Sequence, residues 1–253
     1  MHAIRRQWSA IKTTLLLGLM ALGACAGSPA EQAAGTPAAQ VASQSLVSLQ
    51  AQGVSVGAAV AVDEGRLITN AHVLRQAGNE LWLRRADGGE AVPARVVAIS
   101  PRMDLAVLEA PAGFVRPAPL AEEEMRSGQR VWALGPQGLG RSMAAGRVAR
   151  PQVVMHRFGP GYTAGLGVLM GFSGGPVVDE RGRVTGLTTA LPEPGATPAL
   201  AMLTGVDVAG FLDGDRRQVF VLCIRAAMEE AARMGTLREG RSLSAGRDPR
   251  ERG

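Results

Sequence analysis

The sequence predicts an all-β domain followed by one C-terminal helix, and three observations carry that expectation. Short apolar runs rich in Val, Leu, Ile and Ala recur from residue 54 to residue 189, Gly- and Asp-containing turns separate them, and an apolar pattern of helical period appears only near the end of the chain. Strands are expected over 54–62, 80–85, 91–99, 105–109, 130–134, 146–156, 176–178 and 183–189. Turns are expected at Asp63-Glu-Gly65, Asp87-Gly-Gly89 and Glu180 to Gly182, where Gly supplies the backbone freedom that a tight reversal needs. Pro117 to Gln129, rich in proline and charge, reads as a junction between two halves of the domain. Phe220, Ile224, Ala227, Ala231 and Met234 fall close to one helical face, so a helix docked on the domain is expected over 213–235. Residues 236–253, with five arginines against three acids and few apolar side chains, read as a disordered tail.

The beginning of the chain reads as an address. Arg5, Arg6 and Lys12 precede an apolar stretch over 13–24, too short to span a bilayer comfortably, which is the pattern of an export signal over 1–25. Leu22-Gly-Ala-Cys25 resembles a bacterial lipobox, whose cysteine becomes the lipidated first residue of the mature protein; the competing reading is ordinary signal-peptide cleavage near Ala24-Cys25-Ala26. Residues 26–45, rich in Ala, Gly, Ser, Pro and Gln, then read as a flexible tether. The chain has two cysteines, so a lipidated Cys25 leaves no internal disulfide, and Cys223, in an apolar run, is expected to be a buried thiol. The expected location is the periplasm, with a lipid anchor to the membrane or, after ordinary cleavage, secretion. The formal net charge of +5 is arginine-driven and spread along the chain, with no basic stripe interleaved with aromatics, so nucleic acid is not an expected partner.

Chemistry concentrates in three places. Met170-Gly-Phe-Ser-Gly-Gly-Pro176 puts Ser173 among glycines, Leu67-Ile-Thr-Asn-Ala-His72-Val73 puts His72 at the end of an apolar, β-rich segment, and Met103-Asp104-Leu-Ala-Val-Leu108 puts a carboxylate at the head of an apolar run. A serine hydroxyl is a weak nucleophile until a base takes its proton, and an imidazole is an effective base when a carboxylate fixes its orientation. The plain alternatives are a turn serine, a core histidine and a strand-capping aspartate. His156 and His2 carry no such context and receive only those plain readings. No cluster of metal-ligand spacing surrounds Cys223, and no cofactor is expected.

The order His72, Asp104, Ser173 is the one found in double β-barrel peptidases. With Thr-Asn-Ala-His-Val, Asp-Leu-Ala-Val-Leu, Ser-Gly-Gly-Pro, Val131-Trp-Ala-Leu-Gly-Pro-Gln-Gly138 and Gly186-Leu-Thr-Thr-Ala190 in sequence, the stretch from Val54 to Leu212 resembles bacterial trypsin-like serine peptidases related to the HtrA group. The resemblance implies a chymotrypsin-like double six-stranded barrel over 46–212, the first barrel about 46–120 and the second about 121–212. It implies a serine endopeptidase of polypeptide substrates, without the PDZ domains that HtrA relatives often carry. It further implies an oxyanion hole from the N–H groups of Gly171 and Ser173, and substrate-backbone pairing along Leu187, Thr188, Thr189 and Ala190. Gly167 stands where trypsin-type specificity needs a carboxylate, so small or aliphatic side chains are expected before the cleaved bond. Phe172 replaces the acidic residue that digestive relatives pair with a new amino terminus, so activation by that ion pair is not expected, and the loop geometry around the serine becomes the point on which activity turns. The rival reading is a catalytically idle homologue that binds extended peptides or a partner in the same cleft.

Overall fold

The computed structural model describes residues 36–77, 80–136, 142–168, 171–189 and 218–237. Thirteen strands and three helices occur among them. Helix α1 (Pro37–Gln44) precedes β1 (Leu46–Ala51), β2 (Val54–Asp63) and β3 (Arg66–Thr69), and α2 (Ala71–Ala77) follows β3 directly. Then come β4 (Trp82–Arg85), β5 (Val92–Pro93), β6 (Arg95–Ile99) and β7 (Ala106–Glu109). The second half holds β8 (Arg130–Leu134), β9 (Met143–Met155), β10 (Gly159–Leu166), β11 (Pro176–Val178), β12 (Val184–Thr189), β13 (Gln218–Cys223) and α3 (Ile224–Arg233).

The first half is a seven-stranded sheet in the order β5-β4-β1-β2-β3-β7-β6, and the second is a closed barrel in the order β10-β13-β12-β11-β8-β9. The pairings of both are antiparallel. The all-β class, the double-barrel plan and the C-terminal helix are therefore as expected, with the first half left open between its edge strands β5 and β6 rather than closed with six strands.

Strand alternation sorts the core into layers. In β2, Ala59 and Ala61 join Val47, Leu49, Leu67, Leu83 and Leu108 inside the first sheet, while Ala58, Val60 and Val62 point the other way. That other face meets Leu134, Val178, Leu187, Phe220 and Leu222 of the barrel in a shared apolar layer. A strand buried on both faces needs an unbroken apolar run, which Gly57-Ala-Ala-Val-Ala-Val62 provides. The barrel interior is filled separately by Val131, Ala133, Tyr162, Phe172, Val177 and Val221.

Four expectations are corrected. The tether over 26–45 ends in structure: Thr36 caps α1 by accepting from Ala39 N (3.2 Å), Pro37 opens the helix, and Ala38 and Val41 enter the shared apolar layer. The helix expected over 213–235 starts only at Ile224; Gln218–Cys223 is a strand wedged between β10 and β12. Its burial on both faces mimics helical spacing, because a continuous apolar run satisfies either period. The tail over 236–253 begins ordered, since Thr236 is buried, donates through Oγ1 to Ala231 O (2.7 Å) and accepts from Arg66 Nε (3.0 Å). Cys223 is a free thiol, half-buried rather than buried. The expected export signal, Cys25 and residues 238–253 lie outside the described residues, and among those described no helix is long and apolar enough to cross a membrane.

Candidate active site

The site assembles where the two halves meet. Strand β3 ends at Thr69, and Asn70 leads into the short helix α2, which carries His72. Asp104 sits in the turn before β7, only 5% exposed. Its Oδ1 accepts from the backbone N of His72 (2.9 Å) and its Oδ2 lies 2.6 Å from His72 Nδ1. One carboxylate thus holds the same residue at two points, backbone and ring. An acceptor at Nδ1 fixes that nitrogen as the donor, which leaves Nε2 of the neutral ring as an acceptor facing away from Asp104.

Asn70, which the motif contains but which had no assigned role, ties three segments together. Its Nδ2 donates to Asp104 O (3.0 Å) and to Thr189 Oγ1 of β12 (3.2 Å), so the turn bearing Asp104 and the second barrel share one amide. Asn70 Oδ1 is buried with no hydrogen-bond partner, a cost tolerated more often at functional sites than elsewhere. Thr69 completes the segment by donating from Oγ1 to Ala58 O (2.7 Å).

Ser173 belongs to the barrel yet is docked on the first sheet. Its carbonyl accepts from Ala58 N of β2 (2.8 Å), and Gly174 N donates to Thr188 O (2.9 Å). The approach is so close that a Cβ on Gly174 would lie 2.1 Å from Thr69 Oγ1 and 2.3 Å from Ala58 O, at a φ of +79° that side chains rarely adopt. Gly171 also has positive φ, +93°. These contacts put the serine loop directly against the Thr69–Asn70 segment that leads to His72. Ser173 is 7% exposed, and among the described residues no hydrogen bond joins its hydroxyl to His72, a link that is often long in substrate-free sites.

Phe172, the departure next to the serine, points inward. It is 0% exposed and packs in the barrel interior with Val131, Ala133, Tyr162 and Val177. Gly135 makes the space: a Cβ there would lie 2.7 Å from the Phe172 ring. Gly175 N donates to Phe172 O (2.9 Å), closing the loop over its own buried ring. The loop is held by apolar packing where digestive relatives use an ion pair.

The expected substrate edge falls on β12 and just beyond it. Leu187, Thr188 and Thr189 are fully buried, and β12 is paired on one side with β11 and on the other with β13, Thr188 opposite Val221 and Thr189 opposite Phe220. Thr188 N is further used by Gly175 O (2.8 Å). Thr188 is thus paired on both sides, whereas Thr189 is paired toward β13 only and has no β11 partner among the described residues, so any free edge of β12 begins at Thr189. Ala190 lies outside the described residues. Gly167 is exposed at the end of β10, and His156 is exposed at the turn between β9 and β10.

Comparison with known proteins gives this geometry a family. Residues 56–187 match the model of the trypsin-like peptidase domain. The chain is similar to the chloroplastic Protease Do-like 1 of Arabidopsis thaliana, 30% identical over 158 residues, covering 58% of this chain and 36% of that protein. It is also similar to the serine protease Rv3671c of Mycobacterium tuberculosis, 30% identical over 173 residues, covering 64% of this chain and 42% of that protein. A DegP-like periplasmic serine endoprotease of Brucella suis is 31% identical over 138 residues, covering 52% of this chain and 26% of that protein. The chain thus spans well under half the length of these relatives. Among solved structures, the active form of the Mycobacterium tuberculosis Rv3671c protease superposes with a TM-score of 0.63 at 23% identity over 83% of this chain and 88% of that one, which shows the shared fold. With more than half of its residues inside the matched domain, the chain belongs to the trypsin-like peptidase family, similar to the DegP and HtrA serine proteases.

Proposed function

We propose that the chain is a serine endopeptidase that hydrolyses peptide bonds through an acyl-enzyme. The observation that carries this is the two-point hold of Asp104 on His72, with the Ser173 loop docked beside it on β2. In this reading His72 Nε2 takes the Ser173 proton as Oγ attacks the scissile carbonyl, and returns it to the leaving amine. Asp104 keeps the ring in the required tautomer and stabilises the imidazolium, while the N–H groups of Gly171 and Ser173 receive the oxyanion. A water then repeats the sequence on the acyl-enzyme and frees Ser173. No cofactor takes part.

The substrates are polypeptides outside the cytoplasm. The basic-apolar leader and the periplasmic location named for the Brucella relative support that compartment, and Leu22-Gly-Ala-Cys25 supports a lipid anchor on Cys25. Gly167, uncharged and exposed beside the apolar 164–170 segment, supports small or aliphatic residues before the cleaved bond.

Fluorophosphonate labelling tests the reading. The native protein is expected to be modified on Ser173 and Ser173→Ala to be unlabelled, with cleavage of an unbiased peptide library concentrated after Ala, Val or Leu. No labelling with peptide binding retained supports the idle homologue, and cleavage mainly after Lys or Arg overturns the specificity.

A further inference from the structure

The turn that presents Asp104 is itself held from behind, by a helix on the far side of the chain. Ser100 is buried at the end of β6, and its hydroxyl oxygen accepts from two successive backbone groups of the turn, Arg102 N (3.0 Å) and Met103 N (3.1 Å). Its proton goes to Glu230 Oε1 of α3 (2.5 Å). Besides the Asn70 bond to Asp104 O, the turn is held by backbone bonds: Ser100 N to Leu105 O (2.9 Å), Leu105 N to Met103 O (2.8 Å) and Asp104 N to Phe158 O (3.3 Å). Ser100 is therefore the side chain that holds the 102–103 backbone at the start of the turn, as Asn70 holds its end. Its rotor is fixed by a carboxylate from 130 residues away in sequence.

Glu230 is an unusual residue to find on the docked side of a helix. It is 4% exposed, beside the apolar face made by Ile224, Ala227, Met228 and Ala231. A buried carboxylate is costly unless fully partnered, and both oxygens are used: Oε1 by Ser100 and Oε2 by Arg233 Nε (3.0 Å). Burial raises its pKa, but the Arg233 and Ser100 hydrogen bonds outweigh that and hold it below the ordinary glutamate value, so it is ionised at neutral pH. An apolar residue would dock α3 as well without this arrangement, which points to a use other than helix packing.

We infer that Glu230 and Ser100 are positioning residues for catalysis, clamping the turn so that Asp104 meets both His72 N and His72 Nδ1. The continuous chain runs Arg233, Glu230, Ser100, the 102–103 backbone, Asp104, His72. The role rests on the peptidase reading, but the clamp acts on His72 whether or not Ser173 reacts. The test accordingly follows the imidazole itself. In proton NMR of the full chain, with the His72 Nδ1–H signal identified by its loss in His72→Gln, Ser100→Ala is expected to move that signal upfield, because a displaced carboxylate accepts its proton less strongly. Glu230→Gln is expected to shift it in the same direction, and Ser100→Thr, which keeps the hydroxyl, to restore it. Thr236→Val is the control: it loosens the end of α3 through the bond to Ala231 O without touching the clamp, and should lower Tm while leaving His72 unmoved. On a peptide substrate, Ser100→Ala should cut kcat about tenfold with KM unchanged, as misplacing a catalytic group does. A folded Ser100→Ala whose His72 signal matches the parent's overturns the clamp, as does a shift confined to Glu230→Gln, which would report only the lost charge. Parent protein that resists fluorophosphonate while Ser100→Ala still moves His72 overturns the peptidase reading and leaves the clamp standing.

Discussion

The two halves of the site are held by different forces. On the first sheet, His72 and Asp104 are fixed by directed polar bonds: Asp104 grips the histidine twice, Asn70 bonds the Asp104 carbonyl, and Ser100 bonds the turn behind it. On the barrel, Ser173 is carried by a loop whose anchor is an apolar ring, Phe172, sunk into the barrel interior over Gly135. The difference teaches where each half is vulnerable. Hydrogen bonds fix angles, which a base and its orienter need, and fail when a partner is protonated or deleted. Packing fixes position, which a nucleophile loop needs, and fails when volume changes.

Perturbations that strike one half and spare the other sharpen this contrast. The largest effect is expected from Asp104→Asn, which preserves shape but presents the wrong hydrogen-bond character to Nδ1; kcat on a peptide substrate should fall by about 10⁴. Little change in Tm should accompany it, and a loss below tenfold would show that the polar half does not set the rate. Next is Phe172→Ala, which empties a fully buried aromatic site and should cost about 3–5 kcal/mol in denaturant unfolding, with labelling of Ser173 lost in parallel. A Phe172→Ala protein with unchanged stability would break the claim that the ring anchors the loop. Gly135→Ala attacks the same contact from the other side: the added methyl would meet the ring at 2.7 Å, and about 1–3 kcal/mol of destabilisation is expected from overpacking. The smallest expected effect is electrostatic. Glu230 has its pKa depressed in the fold, so its contribution is fully present above the ordinary glutamate value and lost as pH falls through the depressed one. Acid titration of stability should therefore show a step at low pH that Glu230→Gln removes, while the Phe172→Ala cost stays constant across the same range.

Much of this was legible in the chain. Ser173, His72 and Asp104 could be singled out because each side chain sits in a local context that suits its chemistry, and the structure brings all three segments to one junction. Strands such as 130–134 and 176–178 were read to the residue, because alternating or continuous apolar runs there end in turns. What was missed depended on distant partners. Gln218–Cys223 looked helical since Phe220 and Ile224 are four apart, and only its pairing with β10 and β12 makes it a strand. The fate of Phe172 depended on Gly135, 37 positions earlier, a pairing that no local pattern encodes.

The place of β13 in the barrel has a consequence for timing. It is the last strand, drawn from residues 218–223, yet it sits between β10 and β12 and joins a ring that is otherwise built from residues 130–189. During synthesis every segment bearing Ser173, His72 and Asp104 emerges before the piece that completes the circle, and Glu230 emerges later still. A nascent or clipped chain lacking that piece keeps two unpaired strands where the ring should join, and its Asp104 turn lacks its rear support. Residues 218–230 therefore complete both halves of the candidate site at once, by closing the ring under the Ser173 loop and by backing the turn that bears Asp104.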